Sequence, residues 1–491
     1  MQKTTATLIP LALLCALVFL FSNCDKDDTV GPAARLVFST DTLGFDTVFT
    51  TVGSTTLGFL AYNTYNKKMI INSVTLEGGT NSPFRINVDG NTAVANYVYD
   101  VEVPANDSIY IFVEVTLDPN NDTLPLIIED AVVFELSNSN TQNLPLRAWG
   151  QDAHFFGPGT TNGYQVAITG DTTWTNDKPY VIYGGVEVAP EQKLTILAGT
   201  QIHMHNGAIF DVKGTLEVLG GTDSTEQVHF KGTRLEDWYQ DIPGQWGGVY
   251  FERGSVHNKL YGTTIQNSVF GVRVDSLPET GSNPNLVLYN STIKNTFDSG
   301  IIGVTAIIAA GNCIIKNCGR YNIQLEYGGA YIFGNCTFYN GNSLNIDHEF
   351  PILRGANYYP ISETDIAVAA LDLQLYNCII YGSEDEEVQL DDYLDGSDPS
   401  YTVRFENCVL KTEIGADTSA FVNCIVNPNP SDSLFVDAYN CDLRPTALSP
   451  GIDAGISDYA LQFGATSLDI SKDIEAKPRL SPWDIGAYEF E

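Results

Sequence analysis

One short pattern constrains this chain more than any other: an Asn, then a Cys or Ser, with an aliphatic or aromatic residue two places on. It reads "QNSVF" at Asn267, "YNSTI" at Asn290, "GNCII" at Asn312 and "GNCTF" at Asn335. It returns as "YNCII" at Asn377, "ENCVL" at Asn407 and "VNCIV" at Asn423. The first four copies lie 23, 22 and 23 residues apart, and the next lies 42 further on, close to two periods. A period near 22 built on strand-like alternation implies a solenoid in which each coil adds about 4.8 Å. Asn tolerates the left-handed backbone of a sharp corner. Stacked coils would set each Asn over the last, so that the amides bond in a ladder. The residue after Asn should point inward and the next outward: Cys336 in, Thr337 out, Phe338 in. The repeated cysteines then act as small stacked hydrophobes, reduced and buried. No C-x-x-C spacing occurs among the nine cysteines, so a zinc ribbon has no support.

The alternation and Gly-punctuated corners of "LTILAGTQIHMHNGAIFDVKGTLEVLGGT", Leu194 to Thr222, and the segment "QWGGVYFERGS" fit the same scheme. Together with the Asn repeat they resemble the right-handed parallel β-helix of the pectin-lyase-like superfamily. The expected fold class is all-β, with the β-helix over 151–440. The tail over 441–491 carries "SPGIDAG", "DIEAKPR" and "DIGAYEFE". It resembles the closing segment of bacterial β-helix proteins of the choice-of-anchor type. Its expected role is a cap over the unpaired edge of the last coil, with Asp453, Asp473 and Asp484 holding turns.

Residues 35–150 read differently. "DSIYIFVEVTL", Asp107 to Leu117, alternates with period two, and similar runs are separated by "DGN" and "DPNND". Seven or eight short strands without helical periodicity predict a β-sandwich. The stretch resembles the Ig-like domains that often follow the anchor of Bacteroidetes surface proteins. Ahead of it, Lys3 and the apolar run Leu8 to Phe21 read as an export signal over 1–23. Fourteen residues of helix reach about 21 Å, short of a bilayer core of about 30 Å. "FSNC", ending at Cys24, resembles the lipobox of bacterial lipoproteins, whose cysteine is lipidated. "DKDD" after it resembles the acidic surface-export tag of Bacteroidetes lipoproteins. The resemblance implies a lipid anchor at Cys24, a tether over 24–34 and an outer-membrane, cell-surface address. A plain secreted protein with Cys24 as an ordinary thiol is the other reading.

A formal net charge of −35 repels phosphate, so nucleic acid is not an expected partner. No catalytic signature of a polygalacturonase or pectate lyase is present. The insertion "NIDHEFPILRGANYYP" interrupts the repeat and gathers Asp347, His348, Glu349, Arg354, Tyr358 and Tyr359. These are the candidate ligand-binding residues: aromatic rings stack on sugar faces, and charged groups bind hydroxyls or carboxylates. A solvated insertion loop is the competing reading. A second loop, "DWYQDIPGQW", holds Trp238, Tyr239 and Trp246, where packing at the coil edge is favoured. No cofactor is implied. Calcium is a possibility at "DPNND" and at "EDEEVQLDD", Glu384 to Asp392, although a hairpin turn and a solvated acidic face explain them as well. Two function classes remain open. One is a surface protein that binds a polysaccharide or another cell-surface partner without catalysis. The other is a polysaccharide lyase or glycoside hydrolase with an unfamiliar site.

Overall fold

A computed structural model describes residues 30–49, 56–117, 126–157, 166–275, 283–341 and most of 343–490. Cys24 and "DPNND" lie outside the described residues. The chain divides into two units, Met1–Asp152 and Ala153–Glu491.

In the first unit, alternation decides the layering. Ile109, Ile111, Val113 and Val115 of strand Asp107–Val115 are buried, whereas Tyr110, Phe112 and Glu114 are exposed. Two five-stranded sheets enclose one core. The first holds Leu57–Asn63, Asp107–Val115 and Phe84–Val88 with two short edge strands, all antiparallel. The second is antiparallel except where Leu43–Phe49 pairs parallel with Thr141–Gln151. Among the described residues ten strands form, more than expected, because runs as short as Asn91–Thr92 close the edges.

The second unit is a parallel β-helix with three faces. Face A is an 11-stranded sheet running from His154–Phe156 to Ile425–Val426. A 17-stranded sheet supplies the other two. Face B includes Val186–Val188, Ile209–Val212, Gly248–Phe251, Val272–Asp275 and Leu353–Ala356. Face C includes Lys193–Leu197, Thr215–Leu219, Asn258–Tyr261, Leu286–Tyr289 and Leu371–Tyr376. Two strands, Ile301–Gly311 and Ile323–Gly334, run through both faces and bend near Thr305 and Tyr327, where φ turns positive. One apolar core fills the tube.

The Asn residues are the corners. Asn290, Asn312, Asn335, Asn377, Asn407 and Asn423 turn face C into face A, with φ between 48° and 53°. Asn267 is a different case. It follows a face A strand, Thr263–Gln266, and turns it into face B, as do Asn295 after Asn267 and then Asn317. The repeat is therefore two rows, and Asn267 does not belong to the row it seemed to begin. The Asn312 amide donates to Asn290 at 3.1 Å and that of Asn377 to Asn335 at 3.3 Å. In the second row Asn317 donates to Asn295 at 3.3 Å and Asn295 to Asn267 at 3.4 Å.

Cys313, Cys336, Cys378 and Cys408 are free thiols stacked inside the tube, and their Sγ atoms face the carbonyls two residues back. Cys424, in the last coil among the described residues, is only half-buried. Burial pushes the Cys318 thiol up to about 12.

Among the described residues, the tail packs on the flank of the coils and not over the open end. It lies along the flank and covers the row from Asn290 to Asn407. Asn407 donates to Ala454 O at 2.7 Å and Asn377 to Ile456 O at 2.9 Å, while the Ile456 N–H donates back to Asn377 at 2.7 Å. Asn312 donates to Lys472 O at 2.7 Å and accepts from buried Arg479 at 3.1 Å. Outward residues of face A, Ile314, Tyr339, Ile379 and Val409, pack under Leu443, Ile474 and Ile485. Outward residues of face C, Val287, Ala309 and Ile332, pack under Leu461, Ile470 and Trp483. Hence Thr337, which points outward, is still buried: its hydroxyl accepts the Ala487 N–H at 3.0 Å. Asp473 and Asp484 each accept backbone N–H groups and hold turns. Asp453 instead gives its own N–H to Asp484, and its side chain is exposed.

Asn377→Gly keeps the corner and removes the amide bonds to the tail. It should cost about 1–2 kcal/mol in urea unfolding of the β-helix. Asn377→Ala adds roughly 1–2 kcal/mol for a left-handed backbone. Equal stability of the two variants would contradict this account of the corner.

Candidate functional site

The six residues of the insertion do not converge. His348 is buried beneath it, with its side chain at 0% exposure. Its Nε2 lies 2.9 Å from Glu387 of the next coil, and its Nδ1 lies 3.1 Å from the Asn340 amide. Glu387 also accepts the N–H groups of Ile352 and Glu384. Burial raises its carboxyl, opposed by His348. His348 therefore pins the insertion to the tube and faces no ligand. Arg354 stands on face B between Glu326 and Asp391, ion-paired to both. Tyr358 is half-buried with its ring 5.7 Å from that of Tyr393. Tyr359 is exposed on a small hairpin, Tyr358–Pro360 with Ile366–Val368. Asp347 and Glu349 are exposed at the corner between faces A and B.

That corner holds a cleft of about 530 Å³ lined by Pro243, Phe297, Asp298, Arg320, Asn345 and Asp347, among others. Its walls follow from the second Asn row. Asn267 donates to Gln240 O at 2.7 Å and Asn295 to Asp241 at 3.0 Å, which ties loop 237–244 to the coils. Asn345 from the insertion donates to Asp241 O at 3.2 Å and joins the two loops. Phe297 is 66% exposed. Arg320 sits 5.1 Å over the Phe350 ring and 3.8 Å from Asp298. A flat ring beside a cation and carboxylates can stack on a sugar and bond its hydroxyls. Of the second loop, Trp238 is exposed, and Arg234 lies 3.9 Å over the Tyr239 ring. Trp246 is fully buried and donates to Gln266 O at 2.9 Å, a packing role.

Face B carries a second cluster that no local motif announces. Lys213 lies 2.8 Å from Glu187, 3.7 Å from Asp211 and 3.8 Å from Glu252, carboxylates drawn from three successive coils. Asp211 is buried, and its Oδ1 has no hydrogen-bond partner. Burial first, then the charge of Glu252, pushes its carboxyl up to about 7, against the pull of Lys213. Tyr250, in register with Asp211, donates to Asp275 at 2.6 Å, and Arg273 bonds the same carboxylate. A carboxyl that holds its proton near neutrality beside a second carboxyl group is an arrangement acid–base chemistry uses.

The acidic run over Glu384 to Asp392 is largely committed to the fold. Glu386 accepts from Val388 N, Thr412 and Glu413 N, while Asp391 bonds Arg354 and Asp392 bonds Asn357. Among the described residues, no group of three His, Cys, Asp or Glu is placed to hold a metal ion.

No protein-family model matches the chain, and no characterised protein matches it by sequence. Among solved structures, it is similar to the catalytic domain of a GH87 α-1,3-glucanase variant in complex with tetrasaccharides: 10% identity, 82% of this chain and 94% of that one, TM-score 0.21. A second variant of that domain gives 12% identity, 82% and 90%, TM-score 0.18. A family 123 glycoside hydrolase from Clostridium perfringens gives 7% identity over 23% of this chain, TM-score 0.17, and the match spans about a quarter of that protein, 26%. Likeness at these scores carries no argument about activity.

The Asp211 carboxyl yields a sign for pH dependence. Its folded value, about 7, lies above the unfolded value of about 3.9. The stability it contributes is present below the unfolded value and lost as pH rises through about 7. Asp211→Asn keeps the neutral form at every pH. It should raise Tm over the wild type clearly more at pH 8 than at pH 5, because the loss accumulates between about 3.9 and about 7. The same shift at both pH values would contradict this assignment.

Proposed function

We propose that this is a cell-surface lipoprotein whose β-helix binds a glycan, with the corner cleft as the principal contact. On this reading the β-helix is right-handed, and the first unit is an Ig-like sandwich that follows an anchor at Cys24. The observation that carries the binding proposal is the cleft itself. Two loops, one tied to the coils by Asn295 and joined to the other by Asn345, hold Phe297, Arg320, Asn345 and Asp347 around one concave space. The preformed walls favour binding, because little ordering remains to be done when a ligand arrives. Asp347, which lines the cleft, is on this reading a ligand contact. Glu349 and Tyr359 stand as exposed accessory contacts, and the partner is polysaccharide or cell-surface glycan.

A second reading, glycoside hydrolysis on face B, is favoured by the Asp211–Glu252 pair. Asp211 would protonate the leaving oxygen while Glu252 acts as base or nucleophile.

Binding to a glycan array tests the first reading. Phe297→Ala should weaken binding by about 1–2 kcal/mol if the ring stacks on a sugar, with Asp211→Asn unaffected. Release of reducing sugar that is lost in Asp211→Asn and retained in Phe297→Ala would instead establish the hydrolase. For the anchor, labelled palmitate should enter the wild type and not Cys24→Ala. Equal labelling of the two would exclude lipidation at that residue.

A further inference from the structure

The tail covers face A only from Ile314 onward, and the earlier coils of that face are bare of it. Parallel register sets His203, Lys231, Gln266 and Lys294 in one outward row, and Gln201, His229, Thr264 and Thr292 in the row beside it. Lys316 continues the first row, but its ammonium is occupied by the Cys441 carbonyl of the tail at 2.8 Å. The carboxylates facing this stretch, Asp241 and Asp442, act on Lys316. No carboxylate acts on Lys231, which is half-buried and shifted down by burial alone. Among the described residues, Lys231 and Lys294 have no ion-pair partner.

That is unusual in a chain with 25 Lys and Arg against 60 Asp and Glu, where Lys193, Lys213, Lys259, Arg273, Arg354 and Arg404 are all paired. Burial and the neighbouring lysine charge hold His203 down to about 3 and His229 to about 4. Both rings are therefore neutral at pH 7, and the positive charge of the strip belongs to the lysines.

We infer that this open strip of face A is a second binding site, for a linear glycan that carries one anionic group per disaccharide. Lys231 and Lys294 stand two strands apart, about 10 Å along the β-helix. One small oxyanion does not span that gap, whereas the charges of successive disaccharides do. Gln266 lies between the lysines, and the half-buried His229 and Thr292 line the edge with donors and acceptors for hydroxyl groups. A sulfate ester and a carboxylate share this chemistry. A nucleic acid carries its phosphates much more densely, and the net charge of −35 opposes a long phosphate polymer. The inference rests on the glycan-binding reading and assigns it a separate surface.

The test uses the full chain with κ-carrageenan, hyaluronan, dextran and double-stranded DNA as probes in low salt. Binding to κ-carrageenan or hyaluronan, but not to dextran or DNA at this strip, is expected. The preferred polymer identifies the ester or the carboxylate. Lys231→Ala combined with Lys294→Ala should weaken polyanion binding at least tenfold and flatten its salt dependence. Lys472→Ala, at a lysine outside the strip, should leave it unchanged. Phe297→Ala should also leave it unchanged, so failure of the cleft and failure of the strip are told apart. No binding to either polyanion, equal binding by wild type and double variant, or DNA binding lost in the same double variant would each overturn the inference.

Discussion

Everything in the second unit depends on a backbone corner that only a few residues tolerate, made by an amide that then has something to hold. At φ near 50° most side chains are strained, and Asn is less so. Its amide projects from the corner and must be satisfied where it is buried. In the row from Asn290 to Asn407, neighbouring Asn residues satisfy part of it and the tail backbone the rest. In the row from Asn267 to Asn317, the loop over 237–244 takes the same part. One chemical device thus positions both the tail and the cleft wall.

This explains the repeat letter by letter. In "GNCII", Asn312 makes the corner, Cys313 and Ile315 enter the tube, and Ile314 faces outward. An aliphatic residue at an outward position is a sign of a covering layer. That the covering layer is the tail could not be read from local pattern, because the tail segments carry no period to match. The strand alternation, the period and the inward cysteines were legible, since each rests on neighbours close in sequence. Asn267 was misassigned for the same reason: five letters record a corner but not which of the three corners it is. His348 looked solvated within "NIDHEF", and its burial depends on Glu387, which arrives 39 residues later. Asp211 and Glu252 meet only through coil stacking, with the loop over 233–247 lengthening the coil between them.

The division of surfaces follows from the covering. The tail takes the outer side of face A from Ile314 onward and part of face C. What stays open is face B with its alternating ions, the cleft at the corner between faces A and B, and the early coils of face A with two unpaired lysines. Stacked strands set side chains at a fixed spacing of about 4.8 Å, which suits a ligand with a repeat of its own. That geometric match is the link from fold to the proposed glycan partner.

Hydrogen–deuterium exchange of the full chain measures the central claim most directly. If the tail clasps the Asn row, the backbone amides after Asn312, Asn335 and Asn377 should be the slowest to exchange. Those after Asn423, in the last coil, should exchange faster. In Asn377→Gly, protection should fall both at Cys378 to Ile380 and across Ala454 to Ile456, residues far apart in sequence. Loss confined to the corner, with the tail unchanged, would show that the two are not held together as described.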